Sequence, residues 1–171
     1  MDITTIGLDL AKTVFQVHGA DRKGQPVLRR KMRRGQVLKF FAGMPPCLIG
    51  MEACASAHYW AREIEALGHE VRLIPPQYVK PFVKTNKNDA ADAEAICEAL
   101  VRPTMHFASV KSADQQSALM LHRARELLVR QRTMLINALR GHCSEFGIVV
   151  SQGAVRVNEL IAIIEDTNDA R

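Results

Sequence analysis

One aspartate inside an apolar run constrains the fold of this chain more than any other residue. Ile6-Gly7-Leu8-Asp9-Leu10-Ala11 has the length and the polar flanks of a buried strand. An ionised carboxylate in such a place is costly unless a cation or hydrogen-bond donors meet it, so the fold has to bring a partner to Asp9. Glu52 repeats the pattern at the end of Leu48-Ile49-Gly50-Met51-Glu52-Ala53. Strand alternation places Gly7, Asp9 and Ala11 on one face and Ile6, Leu8 and Leu10 on the other, with Gly50 on the same face as Glu52. These small neighbours predict open room for ions and a phosphate beside both acids. A third acidic element, Lys87-Asn88-Asp89-Ala90-Ala91-Asp92-Ala93-Glu94, has the composition of a helix start, and its spacing of three puts Asp89 and Asp92 on one helical face.

Oxygen donors of this kind suit magnesium or manganese, and the chemistry that requires four of them is in-line displacement at phosphorus. There, two divalent ions about 3.5–4 Å apart serve the attacking and the leaving oxygen. Each element alone has a plainer explanation. Asn88, Asp89 and Asp92 are what any helix N-terminus favours, because anions there meet unpaired N–H groups. Asp9 and Glu52 are each compatible with a strand end facing solvent. Their order along the chain, one acid on each of two strands and then a spaced pair on a later helix, is what favours a common site.

At 171 residues with 47% hydrophobic composition, the chain suffices for one ordinary core and an appendage. Its net charge of +5 favours an anionic partner, with nucleic acid leading. Cys47, Cys54, Cys97 and Cys143 form no CxxC pair and have no histidine at ligand spacing, which predicts reduced thiols rather than a zinc site or a disulfide framework. The N-terminus lacks a basic segment before an apolar stretch, and no run approaches the roughly 18 apolar residues of a membrane span. A cytoplasmic, bacterial protein is expected, with no membrane partner.

The first strand is followed by alternating residues from Thr13 to Ala20, a turn at Asp21-Arg22-Lys23-Gly24, and a third strand from Pro26 to Arg34. Helical spacing of Val37, Leu38, Phe40 and Phe41 predicts a helix over 35–42, closed by Pro45-Pro46 before the Glu52 strand. A second helix is predicted from Ser56 to Leu67 with Trp60, Ile64 and Leu67 inward. Gly68 caps it, and a fifth strand from His69 to Ile74 ends at Pro75-Pro76. A helix from Asp89 to Arg102 follows. Strands one, four and five, separated by helices, make a partly parallel sheet extended by an antiparallel meander.

This order resembles the ribonuclease H-like nucleases, in particular their RuvC-like branch. The quoted Gly-Leu-Asp-Leu-Ala-Lys and Gly-Met-Glu-Ala segments, Ile74-Pro75-Pro76, and above all Lys84-Thr85-Asn86-Lys87-Asn88-Asp89-Ala90-Ala91-Asp92-Ala93 are similar to the N-terminal half of the DEDD insertion-sequence transposases, the bridge-RNA-guided recombinases of bacterial mobile elements. The similarity covers roughly residues 5–150. It implies an α/β, ribonuclease H-like mixed sheet with flanking helices, and Asp9, Glu52, Asp89 and Asp92 as catalytic, metal-binding residues for Mg2+ or Mn2+. It further implies DNA as substrate, a guide RNA as partner, and a nucleophilic serine in a C-terminal domain absent from this chain. None of Ser56, Ser109, Ser112, Ser117, Ser144 and Ser151 shows a nucleophile-and-base arrangement. The expected organisation is therefore a metal-binding domain over residues 1–110 and a long-helix, coiled-coil region over 111–171, together the N-terminal part of a transposase.

Arg22, Lys23, Arg29, Arg30, Lys31, Arg33 and Arg34 crowd the second hairpin with no acid among them, enough charge to neutralise several phosphates. Charged side chains also protect exposed edge strands, which is the plainer explanation. Within this group Arg29, Arg30, Arg33 and Arg34 are the nucleic-acid-binding candidates, joined by Lys84 and Lys87 before the acidic helix and by Arg123 and Arg130 further on. Aromatic residues make up only 5% of the chain, which favours recognition of backbone or duplex shape over base stacking. From Ala113 to Glu145 Leu121, Leu128 and Leu135 recur every seven residues beside a column of Met120, Leu127 and Met134. The stripe predicts a long helix that pairs chains into a homo-oligomer, with a shorter helix over Val155–Glu165 folding back along it.

Two rivals come from other classes. Gly7 to Thr13 also resembles the first phosphate loop of the actin and sugar-kinase superfamily, but the second Gly-rich hairpin and the adenosine-binding Gly pair are missing. The other is a non-catalytic, dimerising RNA- or DNA-binding module in which the acids only cap helices.

Overall fold

The computed structural model describes residues 2–83 and 89–166, with the side chain of Asp89 outside that description. The chain divides into two compact units, Met1–Ala113 and Asp114–Arg171.

The first unit is a five-stranded mixed sheet of β1 (Thr5–Asp9), β2 (Val14–Ala20), β3 (Pro26–Arg33), β4 (Leu48–Glu52) and β5 (Glu70–Ile74), in spatial order β3-β2-β1-β4-β5. The meander β1-β2-β3 is antiparallel, whereas β4 pairs parallel with both β1 and β5. This is the mixed α/β sheet, part parallel and part antiparallel meander, that the sequence leads one to expect. The predicted hairpin turn forms as read: Gly24 takes φ 75°, and the Asp21 carboxylate accepts from the Lys23 and Gln25 amides.

Alternation sends the two faces of the sheet to different helices. Ile6, Leu8, Phe15, Val17, Met32, Ile49, Met51, Val71 and Leu73 form one core with α1 (Val37–Ala42) and α2 (Ala57–Glu65). Phe15 meets Trp60 of α2 edge-to-face at 5.0 Å, a geometry worth about 0.5–1.5 kcal/mol beyond the buried area. Of the three residues expected inward on α2, Trp60 and Ile64 are buried but Leu67 is largely exposed. The helix stops at Glu65, and the turn into Gly68, at φ 92°, carries Leu67 off the inner face.

On the opposite face lies α4 (Asp89–Leu100), which buries Ala95, Ile96, Ala99 and Leu100 with Ile74 and Val79. The glycines facing it do not leave the open room expected from sequence. A Cβ on Gly7 would stand 2.1 Å from the Ala93 carbonyl oxygen, and one on Gly50 would stand 2.9 Å from Leu100 Cδ2. Their missing side chains are filled by the helix, whose alanines complete a close helix–sheet contact.

Prolines shape the connection after β5 more than expected. Pro76 sits at the first turn of a short helix, α3 (Pro76–Val79), which runs into a 3-10 turn at Lys80–Phe82. Buried His69, which no pattern singled out, ties α1 to the sheet. Its Nδ1 accepts the Cys47 amide at 3.2 Å, so Nε2 carries the proton and donates to the Phe41 carbonyl at 3.0 Å. On the outer edge of β5, Ala108 bridges Leu73. The following segment is held where Lys111 donates its amide to His58 and accepts from Arg62.

The second unit holds α5, which begins at the unit boundary (Ala113–Ser144), and α6 (Val157–Glu165), preceded by a 3-10 turn at Ala154–Arg156. Leu160 and Cys143 are buried within it, and Arg140 donates to the carbonyls of Ser151 and Gly153. The apolar stripe of α5 is not covered by α6: Leu121, Leu128 and Leu135 are 75%, 65% and 71% exposed. No helix among the described residues is long and apolar enough to cross a membrane.

Candidate nucleic-acid and metal site

Parallel pairing of β1 with β4 runs Thr5–Leu48, Ile6–Ile49, Gly7–Gly50 and Leu8–Met51. The next pair in that register is Asp9 and Glu52, the last residue of each strand. Both carboxylates therefore stand side by side at the same end of the sheet, on the face that α4 covers. Packing of Ala93 and Cys97 over Gly7, and of Ile96 and Leu100 over Gly50, brings the first turn of α4 to that end. Asp92 lies in that turn. Glu52 responds to this environment: burial pushes its carboxyl up from the usual range, and the charge of Asp92 adds to the shift.

The four predicted acids thus divide. Asp9 and Glu52 are neighbours by register, and Asp92 is close enough to Glu52 to repel it. Asp89 opens α4, with its side chain outside the described residues. Among the described residues no three acids, histidines or cysteines gather closely enough to hold a metal ion. The donor set nevertheless fits a hard divalent cation in kind. It consists of carboxylate oxygens, and two of them share a half-buried place where a cation would relieve their repulsion. The thiol of Cys97, further along α4, is pushed up to about 11, chiefly by burial.

The basic hairpin is not a single surface. Antiparallel partners share a face, and β2 pairs with β3 as Val14–Arg33, Gln16–Lys31 and His18–Arg29. Because Gln16 faces Asp9 and His18 faces Gly7 across β1, Arg29, Lys31 and Arg33 belong to the α4 side. Arg29 donates to Glu94 of α4 at 3.2 Å. Arg30 and Arg34 belong to the other side, where Arg30 lies 5.2 Å over the Phe40 ring and Arg34 5.0 Å over Trp60. The alternation that carries this division is present in the sequence, but which face meets the acids depends on sheet register.

Lys84 and Lys87 lie outside the described residues. Arg123 and Arg130 are exposed on α5. Each stands two residues beyond a leucine of the stripe, hence about 200° around the helix from it.

Comparison with known proteins bears on the same features. The family model for DEDD transposases of the IS110 type, described as "Transposase", matches residues 6–147. A Pseudomonas aeruginosa protein described as "Probable family 20 transposase" is 59% identical over 89% of this chain and 45% of its own length. The transposase for insertion sequence element IS1328 of Yersinia enterocolitica is 46% identical over 96% of this chain and 49% of its own length. For the transposase of insertion sequence element IS1111A of Coxiella burnetii the values are 41%, 95% and 45%. The chain spans about half the length of these relatives. Among solved structures, T. thermophilus RuvC in complex with a Holliday junction substrate aligns with a TM-score of 0.42 at 12% identity, covering 57% of this chain and 91% of that one.

Proposed function

The chain belongs to the DEDD transposase family of the IS110 type, and on that premise we propose that Asp9, Glu52, Asp89 and Asp92 form the divalent-metal half of a DNA transposase site. The observation that supports this reading is that Asp9 and Glu52 end neighbouring strands in register, with the Glu52 carboxyl pushed up by burial and by Asp92. Magnesium or manganese, held by these carboxylates, would supply charge stabilisation at a phosphodiester undergoing in-line displacement. The protein's own contribution is placement. Two strand ends fix Asp9 and Glu52, and tight packing of α4 on Gly7 brings the first turn of that helix, with Asp92, towards Glu52.

The nucleophilic serine, in this reading, comes from a C-terminal domain of the longer protein, and a guide RNA selects the DNA. Arg33 holds the nucleic-acid backbone on the face of the acids, beside Arg29 in its ion pair with Glu94, with Lys84 and Lys87 before α4. Arg123 and Arg130 offer a second contact along α5, and the exposed leucine stripe of α5 pairs chains into a homo-oligomer.

Calorimetric titration of the chain with Mn2+ tests the centre. The parent is expected to bind, and Asp9→Asn and Asp92→Asn to lose the signal while their circular dichroism stays that of the parent. Unchanged binding in either variant removes that residue from the centre. A parent that binds no metal favours the non-catalytic, nucleic-acid-binding reading, which asks nothing of the acids.

A further inference from the structure

A cavity of about 190 Å3 opens between the β2–β3 hairpin and the first turn of α4, lined by Gln16, Val17, His18, Arg29, Arg30, Lys31 and Ala90. Sheet register explains its position. Lys31, Gln16 and Asp9 occupy one cross-strand row, with Glu52 next in line on β4. Neighbouring strands lie about 4.8 Å apart, so Lys31 stands two strands, roughly 10 Å, from Asp9 on the same face. The row thus changes from cation through neutral amide to carboxylates as it crosses the sheet.

The three cations lining the cavity are differently engaged. Arg29 is committed to Glu94 on α4, which fixes the wall of the cavity and leaves little net charge at that point. Lys31 is exposed and has no carboxylate partner among the described residues. A lysine ammonium on a flexible stem beside a polar amide suits a phosphodiester oxygen, and Lys31 shares the face of the acids, whereas the Arg30 guanidinium lies over the Phe40 ring.

We infer that Lys31, with Gln16 beside it, holds a backbone phosphate of the nucleic-acid strand that passes over the carboxylates, and that Arg29 is a positioning residue held by Glu94. The inference rests on the carboxylate reading above for the identity of the strand. Its content is a specific contact that orients the strand across the row from β3 towards β1, so that a neighbouring phosphodiester falls at the acids.

The test uses salt dependence. A short labelled DNA duplex and an RNA hairpin, both of arbitrary sequence, are titrated over a range of salt concentrations with the parent, Lys31→Gln and Lys39→Gln, the last an exposed position on α1. Loss of one phosphate contact lowers the slope of log K against log salt by about 0.9 on duplex DNA and about 0.7 on a single strand. That decrease is expected for Lys31→Gln and not for Lys39→Gln. A decrease on DNA, on RNA or on both supports the subsite and identifies its strand. A Lys31→Gln slope equal to the parent's on both probes overturns it, as does a decrease of equal size in Lys39→Gln, which would make the effect one of net charge. A parent that binds neither probe overturns it too. Manganese calorimetry on Lys31→Gln separates this from the carboxylate reading. Metal binding retained with an unchanged slope sinks the subsite alone, whereas a lowered slope in a chain that binds no metal leaves the subsite and sinks the metal centre.

Discussion

Replacing Gly7 by alanine adds one methyl group against the backbone of α4, and the structure sets its consequence. The new Cβ would lie 2.1 Å from the Ala93 carbonyl oxygen, 2.6 Å from the Cys97 nitrogen and 2.9 Å from Cys97 Cβ. Carbon–oxygen contacts close at about 3.3 Å, so α4 has to withdraw by roughly 1.2 Å at that point. A radial gap of 0.5–1 Å already forfeits about a quarter to a half of each dispersion contact, and Ala95, Ile96, Ala99 and Leu100 all pack through this interface. Overpacking in cores costs about 1–3 kcal/mol, and backbone atoms yield less than side-chain ends, so Gly7→Ala is expected to cost about 3 kcal/mol or more. Gly50→Ala provides the contrast. Its Cβ meets the side-chain ends of Leu100 at 2.9 Å and Ile96 at 3.2 Å, which can turn aside, and a cost near 1 kcal/mol is expected. Urea unfolding followed by Trp60 fluorescence measures both. Trp60 is the only tryptophan, is buried, and lies in the sheet unit. With a slope of about 1–3 kcal/mol/M, the Gly7→Ala midpoint should fall by about 1 M or more. Equal midpoints for the two variants, or a Gly7→Ala midpoint at the parent value, would refute the close-packing argument. The withdrawn helix also carries Asp92 away from Glu52, so folded Gly7→Ala should bind manganese more weakly than Gly50→Ala.

Thiol chemistry gives a second check. Cys54 is exposed while Cys47, Cys97 and Cys143 are buried, so a maleimide added near pH 7 should label Cys54 first and the others only on unfolding. Equal labelling rates for Cys54 and Cys97 would contradict the packing of α4. Burial pushes the thiols of Cys47 and Cys97 up to about 11, from an ordinary value of 9.0. The unfolded chain therefore releases these protons first as pH rises, and the stability tied to the protonated thiols is full below about 9 and lost between about 9 and 11. Denaturation midpoints across that window should fall, and Cys47→Ala should flatten the fall. Along α5, Leu128→Asp should reduce the molar mass seen by light scattering relative to the parent, and a monomeric parent ends the claim that the leucine stripe joins chains.

The acids show how far a linear reading extends. Asp9 in an apolar run, Glu52 in another and the spaced Asp89 and Asp92 were legible because burial cost and strand alternation are local properties of a few residues. Gly7 and Gly50 were legible as important yet misread as empty space, since a glycine in a strand looks the same whether a ligand or a helix fills the place beside it. The division of the hairpin arginines between two faces is a similar case. Their alternation was visible, but the face that meets Asp9 was not. His69 gave no signal at all, because its role depends on the Cys47 amide and the Phe41 carbonyl, groups that every residue type carries.

The sequence by itself determined the elements and their kind: five short strands, the helices between them, the long heptad helix, and acids in places where a carboxylate needs a partner. Periodicity and desolvation act within one strand or one helical turn, and so they can be read along the chain. Only the tertiary structure decided which strands are neighbours, and hence that Asp9 stands beside Glu52, that Lys31 rather than Arg30 lies in their row, and that α4 presses on glycine. Pairing register joins residues far apart in sequence through backbone hydrogen bonds, and a shift of one residue would have turned every one of those side chains to the other face.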